Sequence, residues 1–135
     1  MRTEQPKTIY LKDYEQPDYW ISETHLTFDL HDDHALVHSR LSVQLNADKH
    51  GQALPALVLD GQNLELLTVA IDDQALASSD YQVDANTLRL QPASASFDLA
   101  ITTRIKPRDN TALEGLYQSG AMFCTQCEAE GFRKI

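Results

Sequence analysis

The sequence predicts an all-β domain, either an antiparallel β-sandwich or a curved, saddle-like open sheet, with little helix. Apolar and polar residues alternate with period two along most of the chain after Asp18. Turn-forming pairs recur between the alternating runs, at the spacing expected of short antiparallel strands. No long stretch keeps an apolar 3.6-residue period.

Residues 1–18 are polar, contain Pro6 and Pro17, and read as an arm leading into a single β domain over residues 19–135. Leu26, Phe28 and Leu30 alternate with Thr27 and Asp29, predicting a strand with those three pointing inward. His31-Asp32-Asp33 then forms a hairpin turn into a second strand over 35–45. There Ala, Val, Ser, Leu, Val and Leu take the odd positions, and His38, Arg40 and Gln44 lie in the polar register. Asp60-Gly61 and Asp72-Asp73 mark further reversals, and Ala85-Asn86 divides Tyr81-Gln82-Val83 from Leu88-Arg89-Leu90 as another hairpin. Phe97, Leu99, Ile101 and Ile105 line one face of the last long strand, which Pro107 to Asn110 ends. Beyond Asn110 the alternation fades and glycines, cysteines and acids gather, a pattern of segments that aim side chains outward from a rigid sheet.

At 135 residues the chain has room for one domain, and such a chain can bury roughly two-thirds of its unfolded surface. Acidic residues outnumber basic ones 20 to 11, for a formal charge of -9. That excess opposes binding to nucleic acid or to an anionic membrane surface. No apolar run approaches the ~20 residues of a membrane span. Two cysteines make no disulfide framework, so a cytoplasmic location is expected.

Cys124-Thr125-Gln126-Cys127 has the CxxC spacing of metal and redox motifs. Structural zinc takes four ligands, and no second pair exists; the nearest histidine in sequence is His50. A redox CxxC belongs in a βαβ context, which this chain lacks. Thiols three apart on a strand face opposite ways, so one packed inward is the better reading. His31, His34 and His38 would share a helix side, but the period-two run makes them a turn and a solvated strand face. The serines lack a G-x-S-x-G elbow. Glu128 and Glu130, with Glu114 nearby in sequence, are paired carboxylates without a visible cleft.

From Asn110 to Arg133 the text runs N-TALEGLYQSGAMFCTQCEAEGFR, and here the chain resembles the N-terminal domain of the bacterial aminopeptidase N family, the zinc-dependent gluzincin aminopeptidases. Glu114 to Tyr117 with Ser119, and Thr125 to Arg133, carry the resemblance; YLKDYEQPDYWISETHLTFDL near the start adds to it. It implies that Gln126 and Glu128 reach into the site of a neighbouring catalytic domain. Glu128 would bind the free α-ammonium of a peptide substrate, and Gln126 would line the pocket for the first side chain. Gly120-Ala121-Met122 looks like the opening of the family's G-x-M-E-N motif, but Phe123 and Cys124 stand where Glu and Asn belong. It is a strand preceding T-Q-C-E, and the exopeptidase glutamate does not transfer to it.

The family's zinc site is H-E-x-x-H plus a distant glutamate, and none of the five histidines here is followed by glutamate. The expectation is therefore a substrate-anchoring domain that ends before its catalytic domain. Zn2+ would be bound by residues outside this chain, intramolecular docking would join the two domains, and the chain alone would be inactive. A free-standing, non-enzymatic β-sandwich binding module is the competing class, and a small thiol or zinc protein built around the CxxC a third.

Overall fold

The structure, a computed structural model, describes Thr8 and residues 10–126. A single 3₁₀ turn, Leu11–Asp13, precedes ten strands: β1 (Tyr19–Leu30), β2 (Ala35–Leu45), β3 (Leu57–Asp60), β4 (Glu65–Ile71), β5 (Gln74–Ala75), β6 (Tyr81–Val83), β7 (Thr87–Leu90), β8 (Ser96–Ile105), β9 (Gly115–Ser119) and β10 (Met122–Gln126). A short helix, α1 (Ala47–His50), follows β2, and a second 3₁₀ turn, Pro107–Asp109, follows β8. All strand pairs are antiparallel. They form a five-stranded sheet in the order β1-β2-β8-β4-β5, a three-stranded sheet β3-β7-β6, and the two-stranded ribbon β9–β10.

The alternation in β2 and β8 builds the core directly. Leu41, Val43 and Leu45 from β2 and Phe97, Leu99 and Ile101 from β8 point to one face, where they are buried with Val69 of β4. Leu57 of β3 and Leu90 of β7 close over them from the small sheet. Tyr19 joins at the edge, its ring set edge-on to Phe97 at 6.1 Å, with its hydroxyl donating to the Pro55 carbonyl at 2.7 Å.

Two bulges keep this face consistent. The β1–β2 register slips between Ile21 and Glu23, so the inward positions change from Tyr19 and Ile21 to Thr24, Leu26, Phe28 and Leu30. The slip between Leu66 and Thr68 does the same for Leu66 and Val69 in β4.

The predicted hairpins at His31-Asp32-Asp33 and Ala85-Asn86 are present, joining β1 to β2 and β6 to β7. At the second, the Asp84 carboxylate accepts from the backbone of Asn86 (2.7 Å) and Thr87 (2.8 Å). Those bonds, the Asn86 one foremost, hold its carboxyl below the usual range. Asp72 and Asp73, with φ of 48° and 64°, turn β4 into β5, as a two-residue hairpin with positive φ at both positions requires. Asp60-Gly61 reverses the chain between different sheets, since β3 and β4 do not pair.

One expectation holds for direction and fails for burial. Leu26, Phe28 and Leu30 do face the inner side, opposite Ser39, Val37 and Ala35. They are nevertheless 48%, 45% and 46% exposed, because nothing among the described residues lies over this part of β1.

The end of the polar arm is fastened to α1. Asn46 donates from its backbone to the Asp18 carbonyl (2.9 Å) and from its side chain to the Pro17 carbonyl (2.9 Å). Lys49 Nζ and His50 Nε2 meet Asp18 Oδ1 at 2.9 and 2.6 Å. The Lys49 bond first, then that from His50, holds the Asp18 carboxyl below the ordinary carboxylate range.

Candidate functional site

The segment singled out by its sequence is built on a pinned loop. After the Pro107–Asp109 turn, the Asn110 side-chain amide donates to the carbonyls of Glu114 (2.8 Å) and Leu116 (2.9 Å). These bonds wrap residues 110–116 around one half-buried amide and satisfy two carbonyls at the start of β9. Leu113 adopts φ 57°, a left-handed conformation that costs a branched side chain strain, and Gly115 adopts φ 70° at none of that cost. Gly115 is buried, so the first residue of β9 is held at a defined place.

From there β9 runs outward to Ser119 and reverses at Gly120-Ala121. Gly120 has φ 62°, as the first position of a two-residue II′ hairpin demands. The ribbon returns as β10, pairing Phe123 with Gln118, Cys124 with Tyr117, Thr125 with Leu116 and Gln126 with Gly115. Gln126 therefore arrives beside the pinned loop, with its side chain exposed. Of the two residues assigned to the substrate, Gln126 has this position, and Glu128 lies outside the described residues.

Of the Gly120 to Cys124 segment read as a strand, Met122, Phe123 and Cys124 lie in β10, while Gly120 and Ala121 form the turn before it. Cys124 is a half-buried thiol in the middle of β10, and Cys127 lies outside the described residues. His31 and His34 stack with ring centroids 4.5 Å apart at the β1–β2 turn, each beside its own aspartate, Asp29 (3.1 Å) and Asp33 (2.6 Å). His38 stands apart on the polar face of β2, 3.1 Å from Thr102 Oγ1. Among the described residues no three histidine, cysteine or acidic side chains converge as a metal site would need. The described donor set does not fit zinc. No helix among them is long and apolar enough to cross a membrane.

Asn110 is the residue that sequence reasoning missed. Its signal was available, an asparagine five residues before a glycine in a segment without alternation, but its role depends on a bond closing the loop.

No family model matches the chain. Aminopeptidase N of Caulobacter vibrioides is 44% identical over all 135 residues, and aminopeptidase N of Escherichia coli is 41% identical over 133. The chain spans 15% of the length of each. Among solved structures, Legionella pneumophila aminopeptidase A in complex with aspartic acid superposes with a TM-score of 0.78 at 28% identity. The match covers 92% of this chain and 14% of that one. An M1 zinc metallopeptidase of Deinococcus radiodurans bound to the substrate Tyr-Ser-Ala shares the fold at a TM-score of 0.66 and 14% identity, over 87% of this chain and 28% of its own.

Proposed function

We propose that this chain, similar to aminopeptidase N over all 135 of its residues, is the N-terminal β domain of a zinc aminopeptidase removing N-terminal residues from peptides. Residues 1–18 are its arm and 19–135 its body. Zinc is held by a catalytic domain outside this chain, against which the β domain docks inside the cell's cytoplasm. Glu128 anchors the substrate's α-ammonium, and Gln126 lines the pocket for the first side chain.

The similarity of the whole of this chain to 15% of aminopeptidase N carries this reading. The pinned loop supports it, because a residue that must meet a substrate across a domain boundary needs a fixed base. The chemistry is that of chain-end recognition. A free ammonium distinguishes a peptide's first residue from every internal one. A carboxylate in a partly dry cleft meets it with a charge-assisted hydrogen bond and sets the distance to the scissile bond. Internal segments are rejected mainly because they would leave Glu128 unpaired.

The test is Glu128→Ala in the whole enzyme. We expect catalytic efficiency to fall by more than about tenfold, worth ~1.4 kcal/mol. A smaller change removes the anchoring role and leaves the enzyme class standing. The chain alone is expected to hydrolyse no peptide; chelator-sensitive hydrolysis by a pure sample would refute that.

A further inference from the structure

β1 presents an apolar face that the described fold leaves open. Leu26, Phe28 and Leu30 project at successive inward positions, each nearly half exposed. Neighbouring inward positions on β2 are more covered: Val37 and Ser39 are half-buried and Ala35 is fully buried. The bare stretch therefore lies on one strand, which among the described residues is also an edge of the five-stranded sheet. A twelve-residue edge strand with three large apolar side chains in a row is a surface that monomeric proteins avoid leaving to water.

We propose that this inner face of β1, centred on Phe28, is a docking surface for polypeptide of the same protein outside this chain. The proposal rests on the domain reading above and specifies which surface the docking uses. Two observations select this occupant. The chain amounts to only 15% of aminopeptidase N, and the solved structure with a TM-score of 0.78 likewise contains this fold as 14% of its chain. The formal charge of -9 opposes pairing with a second copy and contact with an anionic lipid surface.

Hydroxyl-radical footprinting of this chain and of the full product of its reading frame tests the assignment. In the full product the peptide carrying Leu26, Phe28 and Leu30 should be oxidised about fivefold less, the change expected when a half-exposed side chain becomes core. Equal oxidation overturns the docking surface; if that product hydrolyses peptides, the domain reading survives. A frame that stops after Ile135 overturns both. Protection that grows with the concentration of this chain alone identifies a second copy as the occupant and also overturns the proposal. Phe28→Glu supplies an independent readout. It should lower the melting temperature of the full product and leave that of this chain unchanged, and equal effects on the two would refute docking.

Discussion

β1 and β8 flank the same strand. Both pair antiparallel with β2, and both carry apolar residues at alternate positions on the inner face. Leu99 of β8 is fully buried, while Phe28 of β1 is 45% exposed. Alternation is thus the same signal in two opposite circumstances. β8 has strands on both sides, and its inner residues share a core with Leu57 and Leu90 of the small sheet. Among the described residues β1 has one neighbour, and of its residues Tyr19, at its beginning, reaches that core. A period of two tells which face is apolar; it does not tell whether anything covers that face.

The sharpest way to break the comparison is to truncate the buried member. Leu99→Ala should cost about 2–5 kcal/mol, since it leaves a cavity that the sandwich cannot close. Urea denaturation followed by tryptophan fluorescence reads it, and a loss below about 1 kcal/mol would show that β8 is not the centre of the core. The pinned loop comes next. Asn110→Ala leaves the carbonyls of Glu114 and Leu116 without their amide partner, a loss of about 1–3 kcal/mol if water does not replace it. Amide exchange should rise first in β9 and β10, and uniform acceleration across the domain would argue against a local clamp.

Leu26→Ala is the counterpart on β1. In this chain it should cost less than about 1 kcal/mol, because half of the side chain is already in water. A cost equal to that of Leu99→Ala would mean that β1 is covered in solution. The smallest effect belongs to the clasp on the strand's entry. Asp18 has a depressed carboxyl, so its contribution is complete above about pH 4, the ordinary carboxylate range, and fades as pH falls through its lower folded value. Melting temperature followed from pH 7 to pH 2 should drop less steeply in Asp18→Asn than in the parent. An unchanged slope would show that Lys49 and His50 do not stabilise the ionised form.

Much of the scaffold was legible. His31-Asp32-Asp33 and Ala85-Asn86 turned where their residue types favour a turn, and Pro107 stopped β8 because it supplies no amide hydrogen to a ladder. His38 fell on the polar face of β2 as its register required. The bulges were not legible. One extra residue near Ser22 moves the inward positions from odd to even, and no local preference marks it. The Asn110 loop and the Asp18 clasp were hidden for the same reason. Each joins groups separated in sequence, by 4 and 6 residues at Asn110 and by 32 at His50–Asp18.

The sequence by itself determined the all-β class, the inner faces of β2 and β8, and the resemblance of TQCEAEGFR to aminopeptidase N. These depend on neighbours along the chain, through side-chain alternation, turn chemistry and motif spacing. Tertiary structure alone decided that the three-stranded sheet shares its core with β8 while the apolar face of β1 stays open, and that one asparagine fixes the base of the ribbon carrying Gln126. Burial is a property of what lies opposite a residue in space, and that is set when sheets pack, after the local pattern has already been spent on making strands.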